Sequence, residues 1–177
     1  MTRSSPGCGS RKVVEVEIAN EQSVLLVDED RLRRAVRIAL DETPVRRAAI
    51  SLAVVDDPTI HRLNRRYLDH DYPTDVLSFV LDRTADSLDG EVIVSSDTAV
   101  ASAAQFGWSA DDELLLYVIH GVLHLAGYDD ILPEQRGKMR NRERACLARF
   151  GLEHRFDDSA EDDGRPPVGG PGGETQS

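Results

Sequence analysis

The most constraining feature of this sequence is a largely apolar run from Ser109 to Gly127 that carries two histidines four positions apart. Ser109 and the acidic residues after it favour a helix start, because a hydroxyl can accept free backbone N–H groups and negative charge is favourable at a helix N-terminus. Gly127 suits the position after the last helical residue, where a left-handed conformation is common. The run therefore predicts a central helix that ends in a sharp turn.

The rest of the chain alternates between strand and helix patterns. Strands are predicted at Val14–Ile18, Ala48–Val55, Val76–Leu81 and Glu91–Ser95, the last two joined by a polar, glycine-containing connection. Helices are predicted after Asp28, from Pro58 to about Leu68, at Thr98–Phe106, and from Pro133 to about Phe150. Because the two patterns intermix, we expect an α/β (α+β) fold: a single layered domain with a small, mostly four-stranded sheet packed by helices.

Composition separates one domain from two tails. Residues 1–12 and the acidic, Gly/Pro-rich residues 157–177 contain little to bury and are predicted to be disordered, which leaves 13–156 as the domain. No stretch of about 20 apolar residues is present, and the N-terminus lacks an apolar secretory segment, so we expect a cytoplasmic protein without a membrane span. Cys8 and Cys146 are expected to be reduced thiols rather than a disulfide framework.

The charge balance excludes a globally basic nucleic-acid binder. The net charge is −11; residues 157–177 contribute −5 and residues 1–12 contribute +3, which leaves −9 for residues 13–156. Local basic surfaces are still possible, because 19 of the 21 cationic residues are arginines and they are clustered. Any nucleic-acid affinity is therefore expected to be modest and sensitive to salt.

The two histidines of the central helix have the spacing of metal ligands. His120 and His124 lie on one helix face, where two imidazoles can share one zinc ion. The turn at Gly127 allows Asp130 to fold back as a third ligand, with Asp129 as the alternative. A single histidine in an apolar helix is more often bonded to a carbonyl, but two at this spacing followed by glycine and aspartate favour a metal site.

The spacing matches the metzincin pattern H-E-x-x-H-x-x-G-x-x-H, with two differences. Gly121 stands where the pattern has the glutamate that activates water, and Asp130 stands where it has the third histidine. Without a carboxylate at 121 a protease lacks its general base. Peptide hydrolysis is therefore excluded as the expected activity.

At the level of longer motifs the chain resembles the YbeY family of bacterial rRNA maturation endoribonucleases. The segment HGVLHLAGYDD is similar to that family's H-G-x-L-H-L-x-G-Y-D-H. The blocks Leu63–Tyr67 and Pro73–Phe79 are similar to the segment before that family's central strand, and Gly90–Ser95 resembles its following strand. The resemblance covers roughly residues 50–150 with order and spacing intact.

This resemblance implies a zinc-dependent endoribonuclease directed at single-stranded RNA. It implies action in the cytoplasm on the 3′ end of small-subunit rRNA and in ribosome assembly, with the ribosomal small subunit as partner. One zinc ion per chain would be bound by His120, His124 and the residue at position 130, and a metal-activated water would attack the phosphodiester.

Two positions depart from the family pattern. Asp130 replaces the third histidine; a carboxylate binds zinc, but its negative charge weakens the metal as a Lewis acid and favours harder cations. Leu68 stands where the family often has an arginine, which could clamp a scissile phosphate. Arg65 and Arg66 are close in sequence but point elsewhere on a helix, so they do not take over that role.

The remaining catalytic roles stay open in the sequence. No general base can be assigned. Asp75, Glu91 and Asp129 are candidates, although capping or solvation is the more common role of such carboxylates and is favoured for each. Tyr128 could stack on a base or close the helix end. Among the clustered arginines, the candidates for RNA contact are Arg65, Arg66, Arg136 and Arg140.

Two other functions remain compatible with the sequence. The first is a non-catalytic ribosome-assembly factor with a structural metal, and the second is a metallohydrolase acting on another substrate. Metal geometry separates the first from an enzyme, because an open coordination position favours catalysis and four protein ligands favour a structural role. A pocket too small for a nucleic-acid strand would favour the second.

Overall fold

The computed structural model describes residues 11–153, which form four strands and five helices. In chain order these are β1 Val13–Asn20, α1 Glu29–Leu40, β2 Arg47–Val55, α2 Asp57–Leu68, β3 Val76–Arg83, β4 Ser87–Ser95, α3 Ser96–Phe106, α4 Ala110–Leu125 and α5 Pro133–Ala148. The tail 157–177, most of the tail 1–12, Cys8 and the domain's C-terminal boundary at 156 lie outside the described residues. At the other boundary Lys12, assigned to the N-terminal tail, donates to the carbonyls of Leu40, Asp41 and Thr43, so ordered contacts begin inside that tail.

The strands form one mixed sheet in the order β1-β2-β4-β3. β1 and β2 pair in parallel, as do β2 and β4, whereas β3 lies antiparallel to β4 at the edge with an irregularity between Val80 and Asp82. The predicted α+β fold with a small four-stranded sheet packed by helices is therefore confirmed.

Alternating side chains of the strands supply two different cores. Leu52, Val76 and Val92 belong to the main core, which they share with α1 and α4. Leu77 and Ile93 point to the opposite face, where they meet the apolar side chains of α2. The sheet thus separates α2 from α4, and this separation decides which surface residues can lie beside the histidines.

Local signals placed most element ends correctly. Asp28 and Ser109 accept backbone N–H groups at the starts of α1 and α4, and Pro58 lies in the first turn of α2. One prediction was wrong: β4 begins at Ser87 rather than at Glu91, and Gly90 lies inside the strand instead of in a connection. A Cβ atom at Gly90 would lie 2.7 Å from Leu125 Cδ1, so this glycine permits close approach of α4 rather than breaking the strand.

Candidate metal centre

Helix α4 presents both histidines to one point at the edge of the core. Most of its residues are buried, whereas His120 and His124 each keep 18–19% of their side chains exposed. Their rings are 4.5 Å apart, and the two Nε2 atoms face each other at 2.9 Å. Two basic nitrogens held this close need a shared proton or a shared cation between them.

Gly121 brings α4 unusually close to the sheet beside His120. A Cβ atom at this position would lie 2.7 Å from Val92 Cγ1 and 2.9 Å from Val76 Cγ2. There is consequently no room for the glutamate that a zinc protease would carry here, which gives a structural reason for the missing general base.

The turn after α4 folds the chain back toward the histidines. Gly127 has φ = +101°, a conformation that L-residues rarely adopt. Arg83, at the end of β3, donates to the carbonyls of Leu125 and Ala126 at 3.3 and 2.8 Å. These bonds satisfy helix-end carbonyls and fix the direction in which the chain leaves the helix.

This turn brings Asp130 to the two histidines. Asp130 Oδ2 lies 3.7 Å from His120 Nε2, and Asp130 Oδ1 lies 3.7 Å from His124 Nε2. Two ligands of a tetrahedral zinc ion are about 3.3 Å apart when each metal–ligand bond is about 2.0–2.1 Å. The separations of 2.9 and 3.7 Å bracket that value, so the three side chains fit one small cation.

The electrostatics of the cluster also fit a cation. Asp130 Oδ1 is buried and has no hydrogen-bond partner among the residues the structure describes. Burial by itself raises the pKa of Asp130, but the neighbouring imidazoles of His124 and His120 outweigh it and lower the pKa. Burial by itself lowers the pKa of His120, but the hydrogen bond and charge of Glu143, with Asp75 and Asp130, raise it.

Asp129, the alternative third ligand, is engaged differently. Its Oδ1 accepts the backbone N–H groups of Asp130 and Ile131 at 2.7 and 3.2 Å. The group of side chains able to hold an ion, within the described part of the chain, consists of His120, His124 and Asp130. Asp129 therefore shapes the turn that presents its neighbour.

One polar contact of the cluster had no signal in the sequence. Glu143 of α5 is 4% exposed, and its Oε1 lies 2.5 Å from His120 Nδ1. In the sequence this residue is one acid among the arginines of a helix with little amphipathic pattern. Only the packing of α5 against α4 brings it to the histidine.

The three carboxylates considered as general bases lie in different places. Asp75 is buried and accepts from Val76 N and Thr74 Oγ1 at 3.0 and 3.1 Å, close enough to His120 to raise its pKa. Glu91 lies between Gly90 and Val92 on β4 and so points to the α2 face, away from α4. Asp129 caps the turn, as described above.

The predicted RNA-contact arginines fall into two groups. Arg65 and Arg66 lie on α2, on the other side of the sheet from α4; Arg65 is 3.9 Å from Asp71, and Arg66 stacks over Tyr67. Arg136 Nε donates to the carbonyl of Asp130 at 3.1 Å. Arg140 follows four residues later and precedes Glu143 by three, so all three lie along the side of α5 that faces the histidines.

Two other residues singled out in the sequence have structural contacts. Tyr128 N donates to the carbonyl of Leu123, and its partly buried ring packs on the main core, which favours closure of the helix end over base stacking. Leu68 packs at the edge of the apolar cluster between α2 and the sheet. A cavity of about 400 Å³, lined by residues that include Tyr128, Asp129, Gln135 and Lys138, lies beside the turn.

Comparison with known proteins agrees with this architecture. The model of the family described as Endoribonuclease YbeY matches residues 17–151. The relatives named Endoribonuclease YbeY include one from Rhodopirellula baltica, 40% identical over 136 residues, which covers 70% of each chain. Another, from Carboxydothermus hydrogenoformans, is 40% identical over 141 residues, which cover 77% of this chain and 98% of the relative.

A solved structure supports the fold independently. The solution structure of a Thermotoga maritima protein superposes with a TM-score of 0.52 at 21% identity, and the match covers 85% of this chain and 99% of the other. Among residues 11–153, no helix combines the length and the apolar character needed to cross a membrane. From the family match and the close relatives, this chain belongs to the endoribonuclease YbeY family.

Proposed function

We propose that this chain is a zinc-dependent endoribonuclease that cleaves single-stranded RNA. It would act in the cytoplasm, in 3′-end maturation of small-subunit rRNA and in ribosome assembly. The observation that carries the proposal is the cluster of His120, His124 and Asp130 in a chain of the endoribonuclease YbeY family. The activity is assigned to residues 13–156, which include all of the residues discussed for the site.

One zinc ion per chain would be held by His120, His124 and Asp130. When bound, it would polarise a phosphoryl oxygen and lower the pKa of a water molecule, so that hydroxide attacks the phosphodiester near neutral pH. Two imidazoles and one carboxylate are an ordinary donor set for catalytic zinc. With three protein ligands, the fourth position stays available for water or substrate, which favours a catalytic over a structural metal.

The residues around the cluster suggest how RNA would be held. Arg136 and Arg140 lie on the histidine side of α5 and would neutralise phosphates on either side of the bond to be cleaved. Arg65 and Arg66, on the far side of the sheet, would contribute at most to the path of the strand beyond the site. Asp75 is the carboxylate placed best to accept a proton near His120.

The test combines metal content with RNA cleavage. Elemental mass spectrometry of protein purified without added metal should give close to one zinc per chain, and His124→Ala and Asp130→Ala should lose it. His61→Ala is the matched control, because His61 lies on α2 and pairs with Asp71. Zinc-loaded protein should cut a circular single-stranded RNA, which has no ends for an exonuclease, and the two metal-site variants should not.

Each result decides one part of the proposal. Absence of metal from the wild type even after zinc addition would overturn the metal centre. Retention of zinc by Asp130→Ala would move the third ligand elsewhere. Bound zinc without cleavage of naked RNA or of assembling small subunits would favour the alternative, a non-catalytic assembly factor with a structural metal, for which Leu68 in place of the family's frequent arginine is the supporting observation.

A further inference from the structure

A buried carboxylate connects the candidate metal centre to the last helix. Glu143 is 4% exposed on α5, a helix whose other charged residues are mostly in contact with solvent. Its Oε1 lies 2.5 Å from Nδ1 of His120, which is the ring nitrogen turned away from the cluster. Burial of an ionised carboxylate is costly unless it is paired, so this contact is built into the packing of α5 on α4.

The contact determines which nitrogen of His120 is free to bind a metal. In a neutral imidazole one nitrogen carries the proton and the other accepts. A carboxylate at Nδ1 requires the proton there, which leaves the lone pair on Nε2. That atom faces His124 Nε2 at 2.9 Å and Asp130 Oδ2 at 3.7 Å.

We propose that Glu143 is a positioning residue for the metal centre: its carboxylate holds the Nδ1–H of His120, so that ring orientation and tautomer are set for binding through Nε2. The inference rests on the proposed metal site. Hydrogen-bonded carboxylates behind metal-bound histidines also increase the basicity of the ring, and their removal typically weakens metal binding about 10–100-fold. The carboxylate acts through His120 and has no contact with substrate.

The experiment measures zinc affinity of the full-length protein by competition with a chromophoric chelator. Glu143→Gln keeps the size and one acceptor oxygen but removes the charge, whereas Glu143→Ala removes the contact entirely. Glu134→Gln is the matched control, because it removes the same charge from the first turn of α5, where Glu134 is exposed and pairs with Lys138 at 3.2 Å. We expect about 10-fold weaker zinc binding for Glu143→Gln, a larger loss for Glu143→Ala, and no change for Glu134→Gln.

A second readout separates positioning from general stability. In zinc-loaded wild-type protein, nitrogen-edited proton NMR should show a slowly exchanging, strongly downfield Nδ1 proton on His120, and Glu143→Gln should lose or shift it while remaining folded by circular dichroism. If Glu143→Ala does not fold, the glutamine variant alone decides the result.

The outcomes distinguish this inference from the proposed function. Equal zinc affinity in wild type and folded Glu143→Gln would overturn the role of Glu143 and leave the metal centre standing. No zinc binding by the wild type would overturn both. Weaker zinc binding in Glu143→Gln together with no RNA cleavage by any form would support the role of Glu143 and contradict the endoribonuclease proposal.

Discussion

At the scale of single residues, Asp130 is one of the two positions identified in the sequence as departures from the pattern that the chain resembles. A carboxylate brings a negative charge to the cluster, and it lies 3.7 Å from both histidines. A negative ligand reduces the net positive charge of a bound cation, which weakens its effect on the pKa of a coordinated water. In the proposed zinc site, Asp130 would therefore tune the chemistry of the metal without removing a ligand.

Asp130→His is expected to move the activity profile to lower pH. With three neutral ligands, the zinc-bound water should ionise more readily, so the acidic limb of the kcat/KM profile for RNA cleavage should shift down by about one unit. The control is Asp129→Asn, which keeps the oxygen that accepts the turn's backbone N–H groups. An unchanged profile in an Asp130→His variant that binds zinc would contradict the tuning role of Asp130.

The raised pKa of His120 predicts a pH dependence for the metal-free protein. Because the folded protein binds this proton more tightly than the unfolded chain does, protonation of His120 stabilises the fold. This contribution is complete below the ordinary histidine pKa of about 6.5 and is lost as the pH rises through the higher pKa of the folded state. The lowered pKa of Asp130 acts in the other direction, since its contribution is lost as the pH falls below about 4.

Thermal unfolding of chelator-treated protein checks this prediction. Glu143→Gln removes the strongest influence that raises the pKa of His120. The difference in unfolding free energy, wild type minus Glu143→Gln, should therefore decrease as the pH increases above about 6.5. An increase of this difference with pH in the same range would contradict the prediction.

At the scale of secondary-structure elements, the close approach of α4 to the sheet positions the cluster. Gly121 permits it on the helix and Gly90 on the strand, where a Cβ atom would lie 2.7 Å from the opposing side chain in both cases. The approach brings β3 beside the helix end, so that Arg83 reaches its terminal carbonyls. The position of the cluster therefore depends on glycine at both 90 and 121, because a larger residue at either position would push α4 away from the sheet.

Gly121→Ala is expected to destabilise the protein by about 1–3 kcal/mol, because the added methyl group would force Val76 and Val92 aside. Gly137→Ala is the matched control: Gly137 lies inside α5 with nothing within 4 Å of the added atom. That change should stabilise the helix by about 0.5–1 kcal/mol. Chemical denaturation measures both, and a neutral Gly121→Ala would contradict the close-packing argument.

The helix ends could largely be predicted from the sequence because they depend on local signals. Asp28, Ser109 and Gly127 act on backbone groups within a few residues, so composition and spacing identify their roles. The roles of Gly90 and Glu143 depend on atoms of α4 that are distant in sequence. No local pattern contains that information: the sequence pattern put Gly90 in a connection between strands and did not single out Glu143.

At the scale of the whole molecule, the sheet divides the arginine clusters. The net charge of −9 for residues 13–156 makes nonspecific attraction to RNA unfavourable, so affinity must come from cations placed near the cluster. Arg136 and Arg140 lie on the histidine side of α5, and Arg65 and Arg66 of α2 lie on the opposite face of the sheet. The α5 group is accordingly expected to dominate substrate binding.

Arg140→Ala should weaken binding of single-stranded RNA and make the dependence of affinity on salt shallower by about one ion. The paired change Arg65→Ala and Arg66→Ala, which removes two charges from the far side of the sheet, should have the smaller effect. Fluorescence anisotropy over a salt series, with catalysis blocked by His124→Ala, measures both. A larger loss from the α2 pair would reverse the proposed path of the RNA.

The three side chains that form the cluster all come from residues 120–130, on one helix and the turn after it. The candidate ligands thus come from a short contiguous stretch that Arg83 of β3 and Glu143 of α5 hold in place, whereas α2 and β1 lie outside the cluster. Zinc retained by a purified sample would therefore report on that stretch and on the parts of α5, β3 and β4 that pack against it, and not on α2 or β1. A sample could pass a metal assay with the α2 side of the sheet already unfolded, so quality control of this protein needs a tertiary-structure probe alongside metal content.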